Sequence, residues 1–132
     1  MITRVDVYNY IYNAITAVYP NMYIVGRYEP VPEELPAVCI REIGDFRNKE
    51  NMTFGGQQGV RTSTVEVQIV SGKLNGSLSE AYNILDVVRA ACFELFYNET
   101  NVVVVEDGGN GMNYRIRASY RRIIGDADPM PT

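Results

Sequence analysis

The residues that could perform chemistry in this chain are few, and the sequence contains no histidine. Glu66 lies on a predicted strand in a position that suits a nuclease carboxylate, but Gln68 stands where lysine is needed, and no aspartate lies at a fitting distance. Cys39 and Cys92 have no histidine to activate them as nucleophiles, so burial in the core is the simpler interpretation. Because the usual proton shuttle and the commonest metal ligand are both absent, the sequence predicts no enzyme, and no catalytic residue, metal site or cofactor.

A glycine-rich stretch and a proline-rich stretch offer weaker alternatives. Residues 55–59 contain three glycines that match neither the P-loop pattern nor the dinucleotide-binding pattern. A small-molecule-binding loop at these glycines stays open as an alternative. Glu29, Glu33 and Glu34 lie around prolines on a predicted loop, where a solvated edge is expected rather than an acid-base pair. Neither stretch predicts a specific reaction.

A row of arginines is the most distinctive charged feature. Arg115, Arg117 and Arg121 alternate along a predicted strand, and Arg122 follows them. As nucleic-acid contacts they would form a ladder of phosphate donors, but no aromatic residue interleaves with them on that face and the chain carries a net charge of −4. As protein contacts, the planar guanidinium groups suit carboxylates on a neighbouring strand or subunit. A solvated strand face and a subunit interface both remain open.

Length and composition predict one globular domain. The 132 residues are 46% hydrophobic and 21% charged, which is enough apolar side chain to build a core without a disulfide or a metal. No apolar run reaches the roughly 18 residues that span a bilayer, and the first four residues show no leader pattern. We therefore expect a soluble intracellular protein with no membrane partner.

A strand followed by a long helix organises the predicted fold. Val65, Val67 and Ile69 alternate with polar residues, which indicates a strand with one face in the core. Apolar residues then recur at helical spacing from Ala81 to Phe96, and this apolar stripe can cover that face. The opposite face consists of Thr64, Glu66 and Gln68. No predicted helix covers it, so we expect a neighbouring subunit there.

Caps, prolines and turn signals define the other elements. Thr3 and Asp6 have the spacing of a helix cap, and that helix ends before Pro20. The other strands are predicted at residues 22–28, 37–44, 101–106 and 114–124, with a proline-rich link at residues 29–36.

The predicted order is helix, strand, strand, strand, helix, strand, strand. This order indicates an α+β fold, with a mainly antiparallel sheet of about five strands and both helices packed on one face. We expect a single domain at residues 1–124, a long mobile loop at residues 45–59 and a flexible tail at residues 125–132.

The order of these segments also resembles a known protein family. The segments are a helix with Val5, Tyr8, Ile11 and Ile15, a proline-flanked strand at residues 35–40, a long polar loop, the Thr-Val-Glu-Val-Gln-Ile strand at residues 64–69, a helix that includes residues 79–88, and a final Tyr-Arg-Ile-Arg-Ala-Ser-Tyr strand at residues 114–120. Over residues 3–124 the arrangement resembles the tail terminator and minor capsid, or head-tail joining, proteins of long-tailed bacteriophages.

The resemblance implies a structural virion assembly protein without catalysis. Such proteins form a ring, commonly a hexamer, that caps the tail tube and joins it to the head connector. For this chain the resemblance implies self-association, contacts with a tail tube protein and a head completion or connector protein, and a channel that DNA passes without specific binding. It implies a location in the virion, at the tail or head-tail junction, after assembly in the host cytoplasm. A head-closure or connector neck position is one alternative, and a small-molecule-binding regulatory α+β domain is another.

The resemblance also implies where contacts lie, because the family places long loops and sheet edges at subunit and tube contacts. In the loop, the candidate contacts with a subunit or the tail tube are Phe46, Arg47, Lys49, Met52 and Phe54. On the strands, the candidate subunit contacts are Thr64, Glu66, Gln68, Arg115, Arg117, Arg121 and Arg122. Mixed strand faces and an exposed arginine row agree with this expectation, since assembly can cover what one chain leaves uncovered.

Overall fold

The fold is described by a computed structural model over residues 2–30, 32–47, 60–72, 78–106, 113–125 and 127–131. Within these ranges the chain forms two α-helices and a five-stranded, mostly antiparallel sheet, which confirms the predicted α+β class and element order. The elements are α1 (Arg4–Val18), β1 (Tyr23–Val25), β2 (Ala37–Arg47), β3 (Val60–Gly72), α2 (Leu78–Glu94), β4 (Asn98–Glu106) and β5 (Asn113–Gly125).

Helix α1 begins at the predicted cap. The Thr3 hydroxyl accepts a hydrogen bond from the Asp6 backbone N–H at 3.2 Å, and the Asp6 carboxylate accepts one from the Thr3 backbone N–H at 2.9 Å. These reciprocal bonds satisfy backbone donors that the first helical turn leaves without partners. Val7, Ile11 and Ile15 then recur every four residues and are buried against the sheet and the second helix.

Helix α2 supplies the larger apolar stripe. Its buried residues are Ala81, Ile84, Leu85, Val88, Ala91 and Cys92. The helix ends in a Schellman turn, in which the Tyr97 N–H donates to the Cys92 carbonyl and the Phe96 N–H donates to the Phe93 carbonyl, both at 2.9 Å. Phe96 occupies the left-handed position of this turn, with a φ of 62°. The Tyr10 hydroxyl of α1 donates a hydrogen bond to the Glu94 carboxylate near the end of α2.

The sheet has the strand order β1-β2-β3-β5-β4, and only the β1–β2 pair is parallel among the described strands. Strand β2 runs three residues past the predicted end at Gly44, because a register shift between Glu42 and Gly44 lets residues as far as Arg47 pair with β3. Residues 45–47 therefore belong to β2 rather than to the predicted loop at residues 45–59. Strand β4 likewise begins earlier than predicted, with a register shift between Glu99 and Asn101.

The two faces of the sheet have different covers. On one face, which we call the helix face, Val38, Val67 and Ala118 belong to the apolar core that also contains the buried residues of both helices. On the opposite face lies the segment between β1 and β2, residues 26–36, of which residue 31 is outside the described ranges. We call this segment the link. The face of the sheet that it covers is called the link face.

Part of the predicted tail is attached to the domain. The Asp128 carboxylate accepts hydrogen bonds from the Gly125 N–H at 2.8 Å and from Arg122 Nη2 at 2.9 Å. Met130 packs against the core. The chain beyond β5 therefore folds back onto the strand that precedes it.

Candidate assembly surface

A chain of polar side chains crosses the centre of the link face. Arg115 Nη1 donates to Gln68 Oε1 at 2.7 Å, and Gln68 Nε2 donates to Glu66 Oε1 at 2.6 Å. The same carboxylate oxygen accepts from Arg41 Nη2 at 2.9 Å and from Arg41 Nε at 3.2 Å. Each side chain of this network therefore has a hydrogen-bond partner, and three of them, Glu66, Gln68 and Arg115, are buried. Three strands, β2, β3 and β5, are thereby joined on one face.

The link is fixed to this network through Arg115 and Tyr28. Arg115 Nη2 donates to the backbone carbonyls of Glu29 and Pro30, at 3.0 and 2.9 Å. The Tyr28 ring lies against two guanidinium groups, with its centroid 5.7 Å from the Arg41 guanidinium carbon and 5.3 Å from that of Arg115. These contacts combine charge-assisted hydrogen bonds with cation–π attraction. They hold an otherwise irregular proline-rich segment against the sheet.

The sequence predicts that the polar face of β3 is uncovered, and this prediction is wrong at the centre of that face. Glu66, Gln68 and Arg115 are buried within the single chain. Their cover is the link rather than a helix, and Arg115 is not part of an exposed arginine row. Their predicted role as subunit contacts would require the link to move away, and it stays a prediction.

The outer part of the link face is open. Arg117 and Arg121 are exposed on β5, and neither makes a hydrogen bond or ion pair with another described residue. Arg117 lies opposite Gln68 across the β3–β5 pair, and Arg121 lies opposite the half-buried Thr64. The structure therefore brings the predicted strand residues together on one face, with the exception of Arg122.

Arg122 points to the helix face. Its Nη1 donates to the Leu95 carbonyl at 2.6 Å, its Nη2 binds the Asp128 carboxylate, and its guanidinium carbon lies 5.6 Å from the Phe96 ring centroid. Because neighbouring residues of a strand point to opposite sides, Arg122 could not share a face with Arg121. It secures the end of α2 and the chain after β5.

The predicted loop contacts are described only in part. Phe46 and Arg47 lie at the end of β2, in backbone register with Thr62 and Arg61 of β3. Lys49, Met52 and Phe54 lie outside the described residues, as do the glycines at residues 55–59. The role of the loop in assembly remains a prediction.

Two exposed aromatic side chains at the end of α2 were not predicted as a surface feature. Phe93 is 78% exposed and Phe96 is 73% exposed. Sequence periodicity had placed Phe96 on the buried stripe, but the helix ends at Glu94 and the left-handed turn takes Phe96 out of that stripe. Ile123 of β5 is also exposed and lines the same shallow depression as Phe96 and Arg121. The helical period does not apply to Phe96, because this residue follows the end of the helix.

The candidate nucleophiles and acids are held in structural roles. Burial raises the pKa of the Cys92 thiol to about 12, and burial also raises the pKa of the Cys39 thiol. Both thiols are therefore protonated at neutral pH. Glu66 is occupied by Arg41 and Gln68, and no group of three or more potential metal-ligating residues occurs within the described ranges. Neither helix that the structure describes is long and apolar enough to cross a membrane.

Comparison with known proteins identifies a shared fold. No family model matches the sequence, and no curated protein matches it. Among solved structures, the chain is similar to one from "Virion of native gene transfer agent (GTA) particle", with a TM-score of 0.63 and 11% sequence identity. The similarity covers 89% of this chain and 93% of that chain. At this level of identity the two chains share an overall fold.

Proposed function

We propose that this protein is a structural subunit of a phage-like virion, and that it acts as a tail terminator whose ring caps the tail tube and joins it to the head connector. The observation that carries the proposal is the fold shared with a chain of a gene transfer agent virion. That similarity spans most of both chains, so it concerns the whole domain rather than a local motif. Fold alone does not imply function, and the surface of the chain supplies the remaining support.

The surface supports assembly in two ways. Arg117 and Arg121 present two guanidinium groups without partners among the described residues, which suits carboxylates of a neighbouring subunit. Phe93 and Phe96 expose aromatic area that assembly would remove from water. The protonated thiols and the satisfied Glu66 carboxylate support a structural role over an enzymatic one.

A head-closure or connector neck position would use the same kind of surface. It differs from the tail terminator in location rather than in chemistry. Labelled microscopy on virions separates the two, because a tail terminator lies at the end of the tail tube and a neck protein lies on the head side of the junction.

A small-molecule-binding regulatory domain is a third candidate. A thermal-shift screen with nucleotides and metabolites tests it, since a bound ligand stabilises the folded state.

Light scattering across a concentration series, with negative-stain imaging, tests the proposal. We expect a discrete oligomer, ring-shaped particles and binding of those particles to the ends of tail tubes. A strict monomer at high concentration that also fails to bind tail tubes would contradict it.

A pair of variants tests the arginines in the same assay. The double variant Arg117→Ala and Arg121→Ala should weaken assembly or tail binding while leaving thermal unfolding unchanged, because both side chains are exposed. The control is Asn9→Glu with Asn13→Glu on the exposed side of α1, which lowers the net charge by the same amount. If both double variants assemble like the unmodified chain, the arginines have no role in the interface.

A further inference from the structure

The described sheet has an unpaired edge at each end. Strand β4, Asn98–Glu106, pairs with β5 on one side and with no described strand on the other. Strand β2 is paired with β1 only from Ala37 to Cys39, which leaves residues 40–47 with an unpaired side among the described strands. Unpaired edges present rows of backbone donors and acceptors that can pair with another strand.

The central part of the β4 edge, residues 102–105, lacks the proline and charged residues that commonly prevent such pairing. Its sequence contains four consecutive valines, from Val102 to Val105, and no proline or lysine. Valine strongly favours strand structure, and proline or lysine at an edge is a common means of blocking further pairing. Val104 is 39% exposed and lies opposite Ile116, on the helix face. A nine-residue edge of this kind is suited to being covered in the assembled protein.

The β2 edge lies beside an apolar cleft. A cleft of about 330 Å³ opens between α1 and the sheet where β1 has ended, and Gly26 lies at its border. Val5, Tyr8 and Ile40 contribute to its walls, and Val5 is among the exposed apolar residues of the chain. An apolar side chain that continues the helix face beyond β2 would enter this cleft.

The cleft also contains a carboxylate oxygen, Oε2 of Glu42, that has no hydrogen-bond donor among the described residues. The Glu42 side chain is 2% exposed, and its Oε1 accepts a hydrogen bond from Arg61 Nη1 at 2.7 Å. Its buried Oε2 has no hydrogen-bond partner among the described residues, and Arg4 Nε lies 3.8 Å away. A buried oxygen without a donor is unfavourable. The Glu42 carboxylate therefore leaves one hydrogen-bond position open in this cleft.

We propose that the β4 edge of one copy pairs with residues 40–47 of β2 in the next copy, and that Val104 enters the cleft between α1 and β2 of that copy. The partner is a second copy of this chain because one chain carries both halves of the contact, at opposite ends of one sheet. The nine residues of β4 match the eight residues of the open β2 segment in length.

Because such a contact joins two different surfaces, it repeats from copy to copy. It forms a closed ring when the rotation between neighbouring copies divides a full turn evenly. Backbone hydrogen bonds supply the pairing, and the valine in the cleft sets the register. The inference rests on the proposed ring assembly and identifies the surfaces that form it.

The first test uses Val104→Lys. A lysine on an edge strand opposes strand pairing, and the partly exposed site lets its ammonium group reach water without unfolding the monomer. We expect Val104→Lys to abolish rings in light scattering and imaging while its thermal unfolding as a monomer shows an intact domain. The matched control is Val18→Lys, at a 56% exposed valine of α1 outside both edges, which should assemble normally.

The second test uses cysteine cross-linking and does not depend on disrupting the ring. Ile43 is an exposed residue of the open β2 segment. The variant with Val104→Cys and Ile43→Cys, treated with a short bismaleimide, should give a ladder of covalent oligomers, because each copy reacts at both edges. Each single-cysteine variant should remain mainly uncross-linked. The native Cys39 and Cys92 are buried, and the unmodified chain is the control for their reaction with the bismaleimide.

The outcomes separate this inference from the proposed function. Rings that persist in Val104→Lys, with no ladder from the double cysteine variant, overturn the edge pairing and leave the ring assembly intact. Efficient dimers from Val104→Cys alone would show that β4 pairs with β4 and would also overturn it. An unmodified chain that stays monomeric, together with no ladder from the double cysteine variant, contradicts both proposals.

Discussion

Arg115 Nη1 lies 2.7 Å from Gln68 Oε1 beneath the link, and the same guanidinium group donates to the carbonyls of Glu29 and Pro30. One side chain therefore connects β5, β3 and the link. Arg115→Ala should lower the free energy of unfolding by about 2–4 kcal/mol, because it leaves buried acceptors without donors and removes one charge of a buried network.

Chemical denaturation measures this change, and Arg117→Ala is the matched control. Arg117 is exposed on the same strand and the same face, so its removal should change the free energy of unfolding by no more than about 0.5 kcal/mol. Equal effects of the two substitutions would show that the link is not held through Arg115.

A buried hydroxyl pair links β3 to the chain after α2. Ser63 Oγ and the Tyr97 hydroxyl are 2.7 Å apart, and both residues are buried. Tyr97→Phe should lower the free energy of unfolding by about 1–2 kcal/mol, because the Ser63 hydroxyl is left without this partner in the interior. A double-mutant cycle with Ser63→Ala measures the coupling, which should be favourable. Tyr12→Phe on the exposed side of α1 should have little effect, and additive losses in the cycle would argue against the hydrogen bond.

The left-handed conformation of Phe96 is unfavourable for a residue with a side chain. Its φ is 62°, a region that glycine adopts without the steric cost of a Cβ atom. Phe96→Gly should therefore be more stable than Phe96→Ala by about 1 kcal/mol in thermal or chemical unfolding. Both variants lose the contact with Arg122, so the comparison isolates the contribution of the backbone conformation to the free energy of unfolding. A less stable glycine variant would contradict the left-handed assignment.

The pair formed by Glu99 and Arg89 should make stability depend on pH. Hydrogen bonds from Arg89, at 2.7 and 3.2 Å, lower the pKa of the Glu99 carboxyl below its ordinary 4.5, and the Tyr120 hydroxyl adds to this effect while burial opposes it. Because the folded-state pKa is the lower one, the stabilisation is present above pH 4.5 and is lost as the pH falls through the folded-state value.

Thermal unfolding between pH 7 and pH 3 measures this dependence. Glu99→Gln should be less stable than the unmodified chain at pH 7, and the difference should shrink as the pH falls. Glu34→Gln, at an exposed carboxylate without a hydrogen bond to a described residue, provides the control. A difference for Glu99→Gln that stays constant with pH would contradict the ionic contribution.

The elements of this fold were predictable where local pattern dictates local structure. The Thr3–Asp6 cap, the four-residue spacing of Val7, Ile11 and Ile15, and the alternation of Val65, Val67 and Ile69 are all short-range signals. Each acts through neighbouring residues of one helix or strand. The sequence by itself therefore determined the element order and the apolar face of the sheet.

Only the tertiary structure decided what covers the other face. Arg115 binds carbonyls 85 and 86 positions away in the chain, and this contact exists only because β1 pairs in parallel with β2, so that the link must cross the sheet. Alternation shows that a strand has two faces but carries no information about which distant segment lies on either. The burial of Glu66 and Gln68, the outward turn of Phe96 and the unpaired edges of β2 and β4 are properties of chain packing, and they depend on long-range pairing that no local period records.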